Sequence, residues 1–477
     1  MTGPSATRRR RPVASLVYLM LVVVPVLVAV AVLAGGSTSD GPRADHAAGH
    51  PLAALLLAVA VVVAACSAAG WLARKVGQPA VVGEIVAGLL LGPSFLGTVW
   101  PSASAALLPD AVVPQLNVLA QIGVVMFLFL TGLELDTRLL RGRGRTALVV
   151  SHVSIALPFL LGVLAAAVAY ARLAPPGIGY TAFALFLGVS MSVTALPVLI
   201  RILLDLGLFR RDVGVIALTC ALIDDVSAWC LLALVVALVT ASSAIGALGT
   251  VLLTGVFTAV LVFVLRPQLA RFTRRAGERT QRAVAPLALV GVLLCAMATE
   301  WIGVHAMFGA FVFGLIFPRD NALSSWLLDK VGGMTTALML PLFFAFSGLR
   351  TDIGLIAANG TLWLWCGVLL VIAVAGKLGG SAVAARAGGE SWRRSLQIGA
   401  MMNCRGLTEL VVLNIGLELG VLTQTMFTML VIMALISTAM TAPLVRVLTP
   451  RADRSVVDGR FLSPASPPPA EEEGRAA

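Results

Sequence analysis

Charged residues are scarce in this chain, since Asp, Glu, Lys and Arg make up 12% of its 477 residues. A soluble protein has roughly twice that share. Together with a hydrophobic content of 59% and a mean hydropathy of +0.98, this scarcity excludes a soluble globular domain. The net charge of +11 would suggest nucleic acid in a soluble protein. Here the arginines cluster in short loops, as in multi-pass membrane proteins, so we expect no nucleic-acid partner.

Cysteine is also sparse, and its six positions lie in apolar segments with neither CxxC nor histidine spacing. Such cysteines are typical of small core residues and argue against a disulfide framework or a metal cluster. We therefore expect no bound cofactor and no enzymatic chemistry.

Long apolar runs are what the chain has in abundance, and each is near the 20 residues that cross a bilayer. We predict an all-α membrane protein with an extra N-terminal helix at 13–34 and 13 further transmembrane helices. These fall at about 51–73, 79–97, 113–133, 146–170, 180–204, 212–239, 246–265, 283–301, 303–317, 331–349, 360–385, 392–417 and 420–448. The leading helix reads as a signal sequence or a retained anchor, and its long apolar stretch favours retention.

Basic residues recur in every second loop of this arrangement, at 8–11, 74–75, 138–145, 210–211, 266–282, 319–330, 386–394 and from 446 onward. Because Lys and Arg accumulate on the cytoplasmic side, both termini are expected there. The Pro-, Ala- and Glu-rich tail, 450–477, is expected to be disordered.

Three pairs of segments show an internal duplication: 127–136 (FLFLTGLELD) with 342–352 (LFFAFSGLRTD), 83–93 (GEIVAGLLLGP) with 309–318 (GAFVFGLIFP), and 188–207 with 399–420. Each pair separates helix n from helix n+7, so the copies enter the membrane from opposite sides. We predict a transport domain at 51–449 with two inverted six-helix repeats, at 51–240 and 283–448, joined by a connector helix at 246–265. In secondary transporters of this kind the site lies near the midplane, where broken helices meet.

Polar residues interrupt two equivalent helices. Ser190, Ser192 and Thr194 precede Pro197 in the first, and Asn403, Arg405, Thr408 and Glu409 lie in the second. A proline kink and a buried ion pair would explain either one alone. The matched pair favours two unwound, crossing helices whose half-helix ends carry partial charges.

Asp224 and Asp225 stand side by side in the middle of the apolar run 212–239. One carboxylate at the bilayer centre costs roughly 2.5–3.5 kcal/mol, and an adjacent one adds to that cost, so we interpret the pair as an ion or proton site. Lys377, in the middle of another run, is expected to need an acidic partner. Arg405 and Glu409 are four residues apart and can pair, in a structural or a site role. Glu84 lies near a span end, and we expect an interfacial or structural pairing.

Four segments, 78–97, 194–203 (TALPVLIRIL), 223–229 (IDDVSAW) and 402–417 (MNCRGLTELVVLNIGL), resemble the monovalent cation:proton antiporter-2 family in the same order. The resemblance covers about 52–448. It implies a homodimer whose protomers each have a dimerisation domain and a core domain. It also implies that Asp225 binds the cation or proton, that Asp224 is its partner acid, and that Lys377 bonds to Asp224. Unlike parts of the family, the chain is expected to have no regulatory domain after the last helix and to have an extra leading helix.

The sequence thus predicts an inner-membrane antiporter that exchanges protons for Na⁺ or K⁺ at Asp225. Ser192, Thr194, Asn403, Arg405 and Glu409 are further candidate ligands or core polar residues, since oxygen donors suit a hard cation. If Lys377 releases its proton when the acids are loaded, transport would be electrogenic. A gated potassium efflux channel of the same fold is the alternative. An intramembrane aspartyl protease is disfavoured, because its two acids must flank one water, whereas adjacent helical residues diverge.

Overall fold

A computed structural model describes residues 51–134, 144–209, 211–240, 244–275, 277–319, 321–357 and 359–449. The predicted leading helix at 13–34 and the tail at 450–477 lie outside these ranges, as does most of the basic loop at 138–145. The described residues form helices and contain no strand. In chain order the helices are α1 (Pro51–Lys75), α2 (Ala80–Leu91), α3 (Leu96–Val99), α4 (Pro101–Leu107), α5 (Val113–Glu134), α6 (Gly144–Leu173), α7 (Tyr180–Ser192), α8 (Leu196–Asp205), α9 (Asp212–Thr240), α10 (Ala244–Ala259), α11 (Arg266–Arg275), α12 (Glu278–Ala283), α13 (Ala285–Ile302), α14 (Ala306–Ile316), α15 (Ala322–Met334), α16 (Leu340–Leu349), α17 (Gly354–Ala357), α18 (Gly360–Val374), α19 (Gly380–Ala387), α20 (Trp392–Met402), α21 (Leu407–Glu418) and α22 (Gln424–Leu448).

Eleven helical stretches of the described chain are long and apolar enough to cross a membrane, so the protein is a multi-pass membrane protein. Two of the thirteen runs predicted between 51 and 448 fall short of that criterion. The run predicted at 303–317 is the eleven-residue helix Ala306–Ile316, and the run at 392–417 is divided between α20 and α21. The first helix ends at Ile316, two residues before Pro318, and the second run is broken at Asn403.

Three helical stretches of the described chain contain a π-helical segment, in which the backbone hydrogen bonds join residues five positions apart instead of four and so widen the helix. The segments are Val260–Leu265, which joins α10 to α11, Thr335–Met339 between α15 and α16, and Ala375–Gly379 between α18 and α19. The last of them contains Lys377, so the helix is irregular where it carries its buried charge.

The spanning helices pack as two bundles. The first contains α1, α2, α5, α13, α14 and α16, and the second contains α6, α7, α9 and α18–α22 together with the half-helix α8. Their hydrophobic residues form one continuous core. The connecting stretch α10–α11 lies on the outside, and only 6% of its most apolar window is buried.

Glycine allows close backbone contact between several helix pairs of the first bundle, among them α2 with α16 and α14 with α5. A Cβ at Gly88 of α2 would lie 2.1 Å from the Ala345 carbonyl oxygen of α16, and one at Gly348 would lie 2.3 Å from the Ile85 carbonyl oxygen. The helices α14 and α5 meet in the same way, because a Cβ at Gly314 would lie 2.1 Å from the carbonyl oxygen of Phe129. In lipid, where no hydrophobic force drives helices together, such close packing is a main source of association.

Polar side chains join the two bundles at one end of the spans. Arg350, at the end of α16, lies 3.3 Å from the Glu418 carboxylate of α21, and its Nη1 donates to Asn414 Oδ1 at 3.2 Å. Gln121 of α5 donates to the same Glu418 oxygen at 3.3 Å. Arg350, Gln121 and Glu418 are partly exposed, whereas Asn414 is buried, so the polar contacts between the bundles reach from the surface into the interior.

We expect Gly88→Ala to destabilise the protein by about 1–3 kcal/mol, because its Cβ would force α2 and α16 apart. Gly367→Ala is the matched control, since a Cβ at Gly367 of α18 meets nothing within 4 Å. Thermal unfolding of the purified protein in detergent measures both, and equal melting temperatures for the two variants would contradict the packing described above.

Candidate functional site

The two adjacent aspartates lie in the middle of α9 and are buried, with relative exposures of 0% for Asp224 and 2% for Asp225. Consecutive residues of a helix point about 100° apart, so the two carboxylates face different neighbours. Their surroundings differ accordingly.

Asp224 is surrounded by donors. The hydroxyls of Ser151 and Ser154 on α6 each donate to one of its carboxylate oxygens at 2.6 Å. Thr194 donates to Oδ2 at 2.8 Å, and Lys377 Nζ lies 3.1 Å from the same oxygen. Both oxygens therefore have hydrogen bonds, and the negative charge has a cation beside it.

Lys377 reaches this carboxylate from the π-helical segment and is itself fully buried. Its Nζ donates to Thr194 Oγ1 at 2.5 Å, to Ser154 Oγ at 3.1 Å and to Asp224 Oδ2 at 3.1 Å. An ammonium group has three hydrogens, and each finds an acceptor here. The arrangement thus suits the charged form of the lysine.

The carboxylate of Asp225 has fewer hydrogen-bond donors around it than that of Asp224. Its Oδ1 is buried and has no hydrogen-bond partner among the described residues. The backbone amide of Leu196, at the first turn of α8, interacts with the carboxylate. A helix N-terminus carries a partial positive charge that favours an anion, so the broken helix points a dipole at Asp225 while leaving one oxygen free to accept a ligand.

The two interrupted helices cross beside the aspartates. The chain is extended at Val193 and Ala195, between α7 and α8, and it leaves the helix again at Asn403 between α20 and α21. The backbone amide of Ala195 donates to the Cys404 carbonyl at 3.2 Å. A freed backbone group of one interruption is therefore satisfied by the other, which the absence of water in a bilayer core requires.

Arg405 closes the end of α7. Its guanidinium donates to the carbonyls of Ser190 and Met191, at 2.9 and 2.8 Å, and pairs with Glu409 at 2.8 Å. A cation at a helix C-terminus complements the partial negative charge there. The ion pair is fully buried, yet Arg405 Nε and Glu409 Oε2 have no hydrogen-bond partner in the described part of the chain.

The other polar residues predicted for the site differ in whether they contact the aspartates. Ser192 lies beside the crossing, but its hydroxyl donates to the Gly188 carbonyl of its own helix, and no hydrogen bond joins it to either aspartate in the described part of the chain. Asn403 donates to the Ser437 carbonyl at 3.2 Å, and its Oδ1 is buried without a hydrogen-bond partner among the described residues. Thr194 is the only one of the three that contacts Asp224.

Ser151 and Ser154 contact Asp224 but are not among the site residues predicted from the sequence. They are two hydroxyl residues three positions apart in the otherwise apolar α6, a spacing that places both on one helix face. The spacing is visible in the sequence. The sequence alone does not distinguish a hydroxyl that reaches a neighbouring helix from one that bonds only to its own backbone.

Comparison with known proteins supports the same family as the four sequence motifs. The model of the family described as sodium/hydrogen exchanger, transmembrane, matches residues 57–447. The Na(+)/H(+) antiporter NhaS4 of Synechocystis is 41% identical over 399 residues, which is 83% of this chain and 97% of that protein.

Longer relatives also match. Cation/H(+) antiporter 18 of Arabidopsis thaliana is 36% identical over 89% of this chain and 53% of its own length. K(+)/H(+) antiporter 1 of Saccharomyces cerevisiae is 32% identical over 90% of this chain and 50% of its own. The chain thus spans about half the length of these plant and yeast relatives.

The fold has a counterpart among solved structures. The sodium proton antiporter MjNhaP1 from Methanocaldococcus jannaschii superposes with a TM-score of 0.57 at 16% identity, covering 82% of this chain and 96% of that one. The predicted resemblance to the cation:proton antiporters is confirmed, and this chain belongs to the sodium/hydrogen exchanger family.

Proposed function

We propose that this protein is a secondary antiporter that exchanges protons for Na⁺ or K⁺ at Asp225. The observation that carries the proposal is the contrast between the two acids. Asp224 has its carboxylate filled by four donors, whereas Asp225 has a buried oxygen with no partner in the described chain. A proton and a cation can each occupy that oxygen, and each excludes the other.

Further ligands for the cation are at hand beside the crossing. Asn403 Oδ1 is a second buried oxygen without a partner among the described residues, and hard cations prefer such oxygen ligands. We assign Asn403 and Asp225 as ligands, Thr194 as a support of Asp224, and Arg405 with Glu409 as the clamp on α7. The relatives include both Na(+)/H(+) and K(+)/H(+) antiporters, so both ions belong in the assay.

Lys377 compensates the negative charge of Asp224 inside the membrane. Its three hydrogen bonds support a lysine that stays protonated in this state. If it releases that proton when Asp225 is loaded, the cycle moves net charge, and the exchange rate responds to an imposed membrane potential. Antiport in proteoliposomes that is indifferent to the potential would rule out this part of the proposal.

The two bundles supply the moving parts. We assign the second bundle, which contains Asp225 and both interrupted helices, as the core domain that shifts against the first. The transport domain spans 51–449 with 13 transmembrane helices, counting Ala306–Ile316 and the interrupted pair α20–α21. A homodimer built through the first bundle would hold that bundle still in the membrane while the core moves.

An inverted repeat, 51–240 and 283–448 around the connector 246–265, is supported by the glycine contacts. Gly88 and Gly314 occupy equivalent positions in the duplicated segments, as do Gly132 and Gly348. Gly88 of the first copy meets the α16 segment of the second, and Gly314 of the second copy meets α5 of the first. Equivalent residues thus make equivalent contacts across the two copies, as a two-fold axis in the membrane plane requires.

Orientation follows from the basic loops. The ends of α1 and α22 that carry Arg74, Lys75 and Arg446 belong on the cytoplasmic side of an inner membrane under the positive-inside rule. The Arg350–Glu418 contact then lies on the opposite side, and the C-terminus is cytoplasmic.

We expect Asp225→Asn to reduce cation-driven proton movement in everted vesicles to background with Na⁺, K⁺ and Li⁺ alike, because the amide cannot exchange a proton for a cation. Asp329→Asn, which changes an exposed carboxylate far from the site, should retain full exchange. Undiminished exchange by Asp225→Asn would overturn the assignment. Flux that ignores the pH gradient would instead indicate a channel.

We expect Thr194→Val to lower the free energy of unfolding by about 1–3 kcal/mol, since it removes a donor to Asp224 and an acceptor for Lys377. Thr194→Ser keeps the hydroxyl and should retain most of the stability and the exchange. Thr258→Val is the control, because the Thr258 hydroxyl bonds only to its own helix. Thermal unfolding in detergent that ranks all three variants equally would contradict the role given to Thr194.

A further inference from the structure

A groove on the outer face of the first bundle has a volume of about 940 Å³ and runs between α1, α2 and the π-helical segment before α16. Ligand sites have volumes of roughly 300–1,000 Å³. Its walls are mostly apolar and include Ala65, Ala68, Leu90, Leu91, Phe95 and Pro341. The mechanism proposed above does not use this groove.

One end of the groove carries two opposite charges that are not joined to each other. Arg74, in the last turn of α1, and Glu84, one turn into α2, both line it. Within the described residues no hydrogen bond or ion pair involves the carboxylate of Glu84, although Arg74 is close enough to interact with it electrostatically. The interfacial or structural pairing expected for Glu84 is therefore not formed among the described residues, and its side chain lines the groove.

The carboxylate of Glu84 lies close to the backbone of α1, since a Cβ built at Gly70 would be in van der Waals contact with Glu84 Oε1 at 3.5 Å. Trp71 lines the groove next to Arg74, with Lys75 Nζ 3.7 Å from the centre of its ring. Tryptophan is typical of the membrane–water interface, so the charged end of the groove lies at headgroup level.

The length of the groove matches one leaflet of a bilayer. Leu91 lies seven positions after Glu84, about 10 Å along a helix, and Phe95 and Leu96 continue the groove beyond the helix end. Half of the hydrocarbon core of a bilayer is about 15 Å thick. A single acyl chain whose headgroup lies at Arg74 and Glu84 would therefore fill it.

We propose that this groove binds a phospholipid of the cytoplasmic leaflet whose headgroup carries a primary ammonium, that is, an ethanolamine phospholipid. Arg74 donates to the phosphate, Glu84 accepts from the ammonium, and the acyl chain lies along Ala68, Leu90 and Phe95. A choline headgroup has the same charges but no N–H to donate, and a glycerol headgroup has no cation for Glu84.

Competition between headgroups tests the proposal directly. The full-length protein in mild detergent is offered equimolar palmitoyl-oleoyl phosphatidylethanolamine, phosphatidylcholine and phosphatidylglycerol, and the retained lipid is counted by native mass spectrometry. We expect the ethanolamine lipid to be retained about tenfold over either competitor, because a charge-assisted hydrogen bond distinguishes it. Equal retention of the ethanolamine and choline lipids, or a preference for the glycerol lipid, would overturn the proposal.

Two variants then assign the contacts. Glu84→Gln should abolish the preference for ethanolamine over choline, whereas Arg74→Gln should weaken retention of all three lipids to a similar extent. Asp329→Asn and Arg275→Gln, which change exposed charges outside the groove, should leave the wild-type pattern. An unchanged preference in Glu84→Gln refutes the contact. A shift of the dimer fraction in place of lipid retention would mean that a second copy of the chain covers the groove.

Discussion

The buried contact between Asp224 and Lys377 is the constraint on which the rest of the second bundle depends. Removing two charges from water costs several kcal/mol per ion, and only good geometry with further hydrogen bonds offsets it. Here four separate segments meet that requirement: α6 supplies two serines, the α7–α8 break supplies Thr194, α9 supplies the acid and the π-helical segment supplies the lysine. Each of these segments is held in place by the same carboxylate.

The same constraint is consistent with the different roles proposed for the two adjacent acids. Asp224 accepts four hydrogen bonds and would lose several of them if it changed its ligand, so its carboxylate is suited to stay fixed. Asp225 shares the low-polarity surroundings without the donors, apart from the end of the half-helix at Leu196. A proton or a cation binding there replaces a missing interaction and breaks none, which is what a reversible site requires.

Much of this arrangement could be predicted from the sequence, because membranes limit the options. Apolar runs of about 20 residues predict spanning helices, and an acid or a lysine inside such a helix needs a partner. Asp224, Asp225 and Lys377 could therefore be identified as candidate site residues. The serines of α6 could not, since Ser151 and Ser154 resemble the many hydroxyls that bond to their own helix. The π-helical turn at Lys377 was equally hidden, because π-turns depend on tertiary packing and not on local propensity.

The two kinds of contact in the molecule differ in how easily they are exchanged. Inside the first bundle, carbonyl oxygens lie against glycines, and any sliding of one helix along the other brings backbone atoms into collision. Between the bundles, Arg350 and Glu418 meet through partly exposed side chains, and such pairs contribute only about 0–1 kcal/mol. The ion pair at this end of the spans is therefore far easier to break and re-form than the glycine contacts that hold the first bundle together.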